Sequence, residues 1–433
     1  MGVAVTAGLI LLTVFILLLV LKVPISISIA IASAVAILTQ LPLDAAISVA
    51  AQQLAIGVDN FSLLAVPFFV LAGIIMTNGG LAERLVNLAK VLIGKMPGSL
   101  ANTNILGNML FGSIAGSSVA SAVAIGGVMG PMQEKEGYDR RYSAAANISS
   151  APMGLLLPPS QSLIIYSLAS GGTSIAALFI AGYIPGILWG LLCIIVATII
   201  AKRKKYPVSE GVNFSIFLKT FWEAIPSLGL IVVVIGGILA GFFTATEAAA
   251  VAVIYALILS FIYKNIKVKD IPGILNQSVI LTCMILLLVA ASGVMSWVMS
   301  YTGIPQLIGN ILLGISDNII VILLLINIIL LLIGTFMDIT PAILIFTPIF
   351  LPIVSSFGMD PIHFGIMMVM NLCIGNITPP VGSALFAGAS VAKLEIDEVV
   401  KPLLPFYGAI VIALLFVTFV PALSLFLPSL LGL

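Results

Sequence analysis

The sequence predicts an all-α polytopic membrane protein made of two inverted repeats, each with a re-entrant helical hairpin and a broken transmembrane helix. Three observations predict it. The 433 residues are 61% hydrophobic and only 8% charged, with a mean hydropathy of +1.29, whereas soluble domains are about one quarter charged. One stretch occurs twice, from Gly112 to Ser162 and from Gly334 to Ser383, and its landmarks keep one offset: Pro131 to Pro352, Gly137 to Gly358, Asp139 to Asp360 and Pro158 to Pro379 are all 221 apart. The loops at matching places in the two copies carry opposite amounts of Lys and Arg. In each copy a small, polar turn is followed by an apolar run, a loop, and a second apolar run broken at Pro-Pro. Such breaks are costly in lipid, where freed backbone groups find no water. A matched pair of them is the sequence pointer to a transporter's binding site.

A span needs about 20 apolar residues. Met1–Leu21 qualifies and is read as a retained span, because the first Lys, Lys22, follows the apolar run, whereas a signal peptide places its charge before it. Ile25–Leu38 is a shorter candidate, Leu43–Val58 is polar enough for the interface, and Leu63–Thr77 spans. Leu81–Ile93 carries Glu83, Arg84 and Lys90 at helical spacing, the pattern of an amphipathic surface helix. Asn102–Met129 is the first interrupted element, Gln133–Tyr142 a charged loop, and Ser143–Leu157 with Gln161–Ser170 the first broken span. Ile175–Ala201 is a clean span ended by Lys202-Arg203-Lys204-Lys205. The second half follows the same scheme, with spans at Ile225–Phe242, Thr246–Tyr263 and Leu275–Val298, and a short segment at Gly303–Leu313. Then come the interrupted element Ile319–Pro352, the broken span Ile362–Ile377 with Gly382–Val391, and a closing helix at Leu404–Leu427. The chain divides into residues 1–201 (first repeat, hairpin 98–131, broken helix 143–170), a cytoplasmic linker 202–224, and residues 225–433 (second repeat, hairpin 318–352, broken helix 362–391).

The positive-inside bias orients the pieces. Lys202–Lys205 and Lys264/Lys267/Lys269 belong to the cytoplasmic face, and so does the first hairpin's following loop, with Lys135, Arg140 and Arg141. The matching loop, Val354–Pro361, has no Lys or Arg and belongs outside. The hairpins therefore enter from opposite sides. A net charge of +1 gives no reason to expect nucleic acid. The three cysteines lie in apolar runs at a spacing that fits buried packing, not a zinc site or a disulfide.

A hairpin tip at mid-membrane frees carbonyls that suit a hard cation such as Na⁺, and helix N-termini that suit a carboxylate. The candidates for Na⁺ are Ser113, Gly116 and Ser118 at the first tip, with Pro158 and Ser160 at the first break. In the second half they are Gly334, Thr335 and Thr340 at the tip, with Thr378 and Gly382 at the break. Ser117, Ser162, Asp338 and Ser383 complete the polar set. Close helix packing accounts for either tip alone, since Gly112-xxx-Gly116 is a small-xxx-small spacing; the repetition of tip plus break favours binding. Asp338 lies in an apolar run, where an ionisable group is expensive and marks function by default; the alternative is a helix cap. Glu247, in Thr244-Ala245-Thr246-Glu247, has the pattern of a capping box. His363, the only histidine, reads as a helix-end residue.

At these residues the sequence resembles the large membrane subunit of tripartite ATP-independent periplasmic (TRAP) transporters. The resemblance runs over nearly the whole chain. It is carried by Gly334-Thr335-Phe336-Met337-Asp338-Ile339-Thr340-Pro341-Ala342, Phe346-Thr347-Pro348-Ile349-Phe350-Leu351-Pro352, His363-Phe364-Gly365-Ile366-Met367 and Ile377-Thr378-Pro379-Pro380-Val381-Gly382. Phe68-Phe69-Val70-Leu71-Ala72-Gly73 and Phe243 to Ala250 add to it. The resemblance implies an elevator-type importer in the bacterial inner membrane, driven by Na⁺ as coupling ion and needing no other cofactor. It implies a small membrane subunit of about four helices, and a periplasmic substrate-binding protein that delivers an organic acid. It carries substrate contacts onto Ser117, Ser162 and Asp338. Ser121 stands where many members have Asp, so a sugar acid such as sialate is weighed beside a C4-dicarboxylate.

Two other readings fit parts of the sequence. One is a Na⁺/anion symporter of another inverted-repeat family without partner subunits. The other is an intramembrane serine hydrolase with Ser117 or Ser118 as nucleophile and His363 as base. The inverted repeat is testable directly. With the native cysteines replaced, Gly137→Cys and Gly358→Cys are expected to react with an impermeant thiol reagent from opposite sides of the membrane; labelling of both from one side contradicts the inversion.

Overall fold

The computed structural model describes residues 2–208 and 214–433. In the first half, α1 (Gly2–Val20), α2 (Ile25–Leu38), α3 (Leu43–Val58), α4 (Ala65–Asn78) and α5 (Leu81–Ile93) lead into a hairpin of α6 (Ser99–Ala115) and α7 (Ser118–Lys135). There follow α8 (Arg140–Ser150), a 3-10 turn (Ala151–Leu155), the Pro158-Pro159 break, α9 (Gln161–Ala169), α10 (Ile175–Ala181) and α11 (Tyr183–Lys204). The second half has α12 (Phe214–Leu239), α13 (Ala245–Ile262), α14 (Ile271–Thr302), α15 (Ile304–Ile315), and the hairpin of α16 (Ile319–Phe336) and α17 (Ile339–Ser356). It closes with α18 (Pro361–Gly375), the second break, α19 (Ser383–Val391), α20 (Ile396–Phe419) and α21 (Ala422–Leu430). Among the described residues there is no strand, and nine helical segments are long and apolar enough to cross a membrane. Helices are what an apolar chain must form in lipid, because each satisfies its own backbone.

The repeat is visible in detail. Each hairpin ends in a left-handed glycine, Gly137 at φ 79° and Gly358 at φ 81°. An Asp two residues on caps the next helix: Asp139 accepts from the Arg141 N–H at 2.9 Å, and Asp360 from the Ile362 N–H at 2.7 Å. Both Pro-Pro bonds are cis. Packing crosses between halves in matched pairs: α4 on α13 and α2 on α14, α7 on α19 and α9 on α17.

Several boundaries depart from the sequence reading. The hairpins run past 131 and 352 because Pro131, Pro348 and Pro352 sit inside α7 and α17. The charged loop shrinks to 136–139, and the segment 143–157 turns from α-helix to 3-10 at Ala151-Pro152. Ile175–Ala201 is split at Gly182, which packs directly on the Leu156 carbonyl, and Leu404–Leu427 is split before Pro421. The linker 202–224 is shorter than expected: α11 runs to Lys204 and α12 starts at Phe214, with 209–213 outside the described residues. Leu81–Ile93 is amphipathic, but its apolar face (Leu81, Leu85, Val86, Leu88) is buried against α6 and α12, so it is an arm between helices and not a lipid-surface helix. Cys193 and Cys373 are buried as expected; Cys283 is exposed on α14.

Two kinds of contact fix each hairpin to its broken helix. The first is backbone on backbone at paired glycines. A Cβ on Gly112 would lie 2.9 Å from the Gly154 Cα, and one on Gly334 would lie 3.0 Å from the Gly375 Cα. The second is a buried amide cluster. In the first half Asn108 Nδ2 donates to Asn147 Oδ1 (3.0 Å) and Ser150 Oγ (2.8 Å), while Ser121 Oγ donates to Asn108 Oδ1 (2.7 Å). In the second half Asn371 Nδ2 donates to Asn327 Oδ1 at 2.7 Å. Buried hydrogen bonds of this kind favour one arrangement of hairpin and broken helix, although Asn371 Oδ1 is left without a partner among the described residues. Gly154→Ala is expected to lower the thermal-unfolding midpoint of the purified protein through an overpacking cost of about 1–3 kcal/mol. Gly127→Ala, in open space on α7, is the control and should leave the midpoint unchanged or raised; equal midpoints for the two variants contradict the close glycine contact.

Candidate functional site

Each tip forms because the chain cannot stay helical there. Gly116, at φ 60°, ends α6, and its N–H closes on the Gly112 carbonyl at 2.9 Å. Ser117 is extended and starts α7, its Oγ accepting from the Ala120 N–H at 3.3 Å. At the second tip Met337 and Asp338 are both extended, and Asp338 occupies the N-cap of α17. Its side chain makes no capping bond. Asp338 Oδ1 instead accepts from Ser383 Oγ, across the second break, at 2.8 Å. The cap alternative raised for Asp338 therefore describes its backbone position but not its carboxylate.

The breaks are closed differently. At the first, Ser160 Oγ accepts from the Leu163 N–H at 3.3 Å and donates to the Leu155 carbonyl, bridging the gap by itself. At the second, Asn376 Oδ1 accepts from the Ala384 N–H at 2.8 Å and faces Ser383 Oγ at 3.1 Å, so it caps α19 from the far side of the gap. Val381 N–H donates to the Thr335 carbonyl at 3.1 Å and ties this break to its hairpin. Gly382 sits at φ 33°, a conformation that strains any residue with a Cβ.

Both tips and both breaks meet at one cavity of about 640 Å³. Gly116, Ser117, Ser118, Gln161 and Ser162 line it from the first half, and Asp338, Thr340, Asn376 and Ser383 from the second. An apolar wall comes from Ile25 and Ile27 of α2 and from Met284, Leu287 and Leu288 of α14. Among the described residues no Lys or Arg lines it, and Asp338 is the one charged residue that does. The N-termini of α7, α9 and α17 all begin at its edge, directing positive partial charge and free N–H groups inward.

Seven of the residues expected from sequence therefore come together: Gly116, Ser117, Ser118, Ser162, Asp338, Thr340 and Ser383. Ser113, Pro158, Ser160, Gly334, Thr335, Thr378 and Gly382 do not line the cavity and stand behind it in the tips and breaks. Ser113, Thr335 and Thr378 donate to carbonyls of their own helices, at 2.9, 2.7 and 2.7 Å, so only lone pairs remain to offer a ligand. Gly334 is engaged in the contact with Gly375. Asn376 and Gln161 were not among the expected binding residues. The available signal for Asn376 is an amide at the end of an apolar run, two residues before Thr378-Pro379-Pro380.

Three further expectations are settled by position. Ser121 is fully buried and bonded to Asn108, so its departure from the family pattern acts inside the hairpin and does not face the cavity. His363 lies in the first turn of α18 with Nε2 3.2 Å from the Thr418 carbonyl and does not line the cavity, so it is not placed beside Ser117 or Ser118. Thr244 and Glu247 form the capping box: Glu247 Oε2 accepts from the Thr244 N–H at 2.8 Å and Thr244 Oγ1 from the Glu247 N–H at 3.3 Å.

Comparison with known proteins agrees with this geometry. Residues 12–423 match the family model described as tripartite ATP-independent periplasmic transporter, DctM component. The chain is 57% identical over 395 residues to the Salmonella typhimurium protein YgiK, covering 91% of each. It is 36% identical to the C4-dicarboxylate TRAP transporter large permease protein DctM of Rhodobacter capsulatus, covering 91% of this chain and 92% of that one. It is 38% identical to the sialic acid TRAP transporter large permease protein SiaM of Vibrio cholerae, covering 89% and 90%. Among solved structures, the Alcanivorax borkumensis YdaH transporter shares the fold, with a TM-score of 0.64 at 15% identity over 86% of this chain and 88% of that one. On the family model and these relatives, the chain belongs to the DctM family, the large membrane component of tripartite ATP-independent periplasmic transporters.

Proposed function

We propose that the chain is the transport unit of a Na⁺-driven importer of an organic acid, working by an elevator motion in a bacterial inner membrane. A periplasmic binding protein delivers the acid and a small membrane subunit sits beside this one. The observation that carries the reading is the cavity itself, where both tips and both breaks offer hydroxyls, amides and helix N-termini around a single carboxylate. The substrate's carboxylate belongs on the first-tip side, at Ser117, Ser118 and the α7 and α9 N-termini, because Asp338 repels it from the other. Asp338 and Ser383 then receive substrate hydroxyls. This favours a hydroxylated acid with one carboxylate, such as a sialate-like sugar acid, over a C4-dicarboxylate, whose second charge has no cation to meet. Na⁺ belongs at the wall of the cavity and behind it, at the carbonyls and lone pairs of Ser113, Gly116, Pro158 and Ser160 in one half and Gly334, Thr335, Thr340, Thr378 and Gly382 in the other. The glycine contacts and amide clusters that bind each hairpin to its broken helix support motion as one body. The cross-packing of α2, α4, α13 and α14 supports a separate scaffold.

The test is uptake into proteoliposomes reconstituted with the partner subunits, using labelled sialate, gluconate and succinate under an imposed Na⁺ gradient. Na⁺-dependent accumulation of at least one acid is expected; equal uptake in choline contradicts the coupling. Asp338→Asn, which keeps shape and capping ability but removes charge, should lower uptake at least about ten-fold with the protein still monodisperse. Wild-type uptake by that variant removes Asp338 from the site. Ser117→Ala and Thr378→Ala should each raise the Na⁺ concentration for half-maximal uptake about three-fold or more; unchanged Na⁺ dependence in both assigns them to packing.

A further inference from the structure

The central cavity does not end at the first tip. Ser117, Gln161 and Ile285 also line a second cavity of about 240 Å³, between Val70–Asn78 of α4 and Gln277–Ile285 of α14. Asn78 and Gln277 of that second cavity line a third, of about 470 Å³, which reaches Asn265, Lys269 and Asp270 in front of α14. The second cavity shares residues with both the first and the third, and the three run as one crevice from the binding cavity to the loop that carries Lys264, Lys267 and Lys269.

The lining of this crevice is unusual for a gap between apolar helices. Gln277 is exposed on a helix of high mean hydropathy, and an unpartnered amide there is costly against hydrocarbon. Thr77 and Asn78 meet it from α4, each donating to a carbonyl of its own helix, at 2.7 and 2.9 Å, with acceptor oxygens left over. At the mouth, Asp270 is engaged by the Lys267 N–H at 2.9 Å, while no ion pair among the described residues uses Lys269. The path therefore runs from neutral polar groups to a mouth lined by Lys269 and by Asp270, whose carboxylate is turned to the Lys267 N–H.

We infer that this crevice is a wet route along which the anionic substrate passes between the central cavity and the Lys269 face, with Gln277 and Asn78 as its polar contacts and Lys269 at its mouth. The inference rests on the reading that the cavity holds an organic acid. By the positive-inside bias the Lys269 face is cytoplasmic, so the crevice serves release.

The test is thiol accessibility, which needs no transport and so separates failure of the route from failure of the transport reading. In a background lacking Cys193, Cys283 and Cys373, Gln277→Cys and Asn78→Cys are reacted in inside-out vesicles. The reagents are an anionic (ethylsulfonate) and a cationic (trimethylammonium-ethyl) methanethiosulfonate. Ile254→Cys, on the exposed apolar face of α13, is the control. Both crevice positions should label from the Lys269 face much faster than Ile254→Cys. The anionic reagent should lead by about three-fold or more, a preference that Lys269→Gln abolishes. Labelling no faster than the control means that hydrocarbon fills the gap and overturns the route. Fast labelling without an anionic preference, or with one that survives Lys269→Gln, overturns the role of Lys269.

Discussion

Everything in this structure depends on one constraint: a backbone interrupted at membrane depth must find its hydrogen-bond partners inside the protein. The chain is interrupted at two tips and two Pro-Pro breaks, and at three of these four places a side chain caps the helix that follows, while at the second tip Asp338 makes no capping bond. Ser117 caps α7, Ser160 caps α9 and also holds the carbonyl before the break, and Asn376 caps α19 across the gap. The groups these caps leave unused face the cavity. A span without interruptions has nothing comparable to offer a ligand.

The two halves solve the same problem with different chemistry. The first tip and break use serines and leave two neutral helix N-termini, those of α7 and α9, near one another. The second keeps a carboxylate, Asp338, which takes no part in capping and reaches Ser383 instead. Repeated architecture therefore yields an asymmetric site, with neutral helix N-termini on one side and a carboxylate on the other. In the function proposed above, that asymmetry would orient a substrate that carries both a carboxylate and hydroxyls.

Much of this was legible in the sequence because it is local. The Thr244–Glu247 capping box and the 221-residue offset are set by a few neighbouring residues, and the landmarks of that offset turn out to be equivalent in structure, with Gly137 and Gly358 as left-handed turns and Asp139 and Asp360 as helix caps. What failed was either tertiary or permissive. Prolines 131 and 352 mark the ends of the hairpins in the sequence reading, yet they sit inside helices, as Pro348 does, because packing and the length of the hairpin arms outweigh one lost N–H. Ser121 and Ser117 look alike in sequence; only the Asn108 network, which joins α6 to α8, turns Ser121 inward. Asn376 was missed because its partner, the Ala384 N–H, lies beyond two prolines and a glycine, and no spacing rule predicts a cap across such a gap. Leu81–Ile93 had the right periodicity for an amphipathic helix, but periodicity cannot say whether the apolar face meets lipid or protein.

The central claim is that the four interruptions form one cation-linked site. Amide hydrogen exchange on the purified protein, in Na⁺ against an equal concentration of choline, measures it most directly. The account predicts that Na⁺ slows exchange at both tips (112–121 and 334–342) and both breaks (155–163 and 375–385), while α1 and α3 are unaffected. Exchange that is the same in both salts at all four places, or protection spread evenly over the chain, would contradict it.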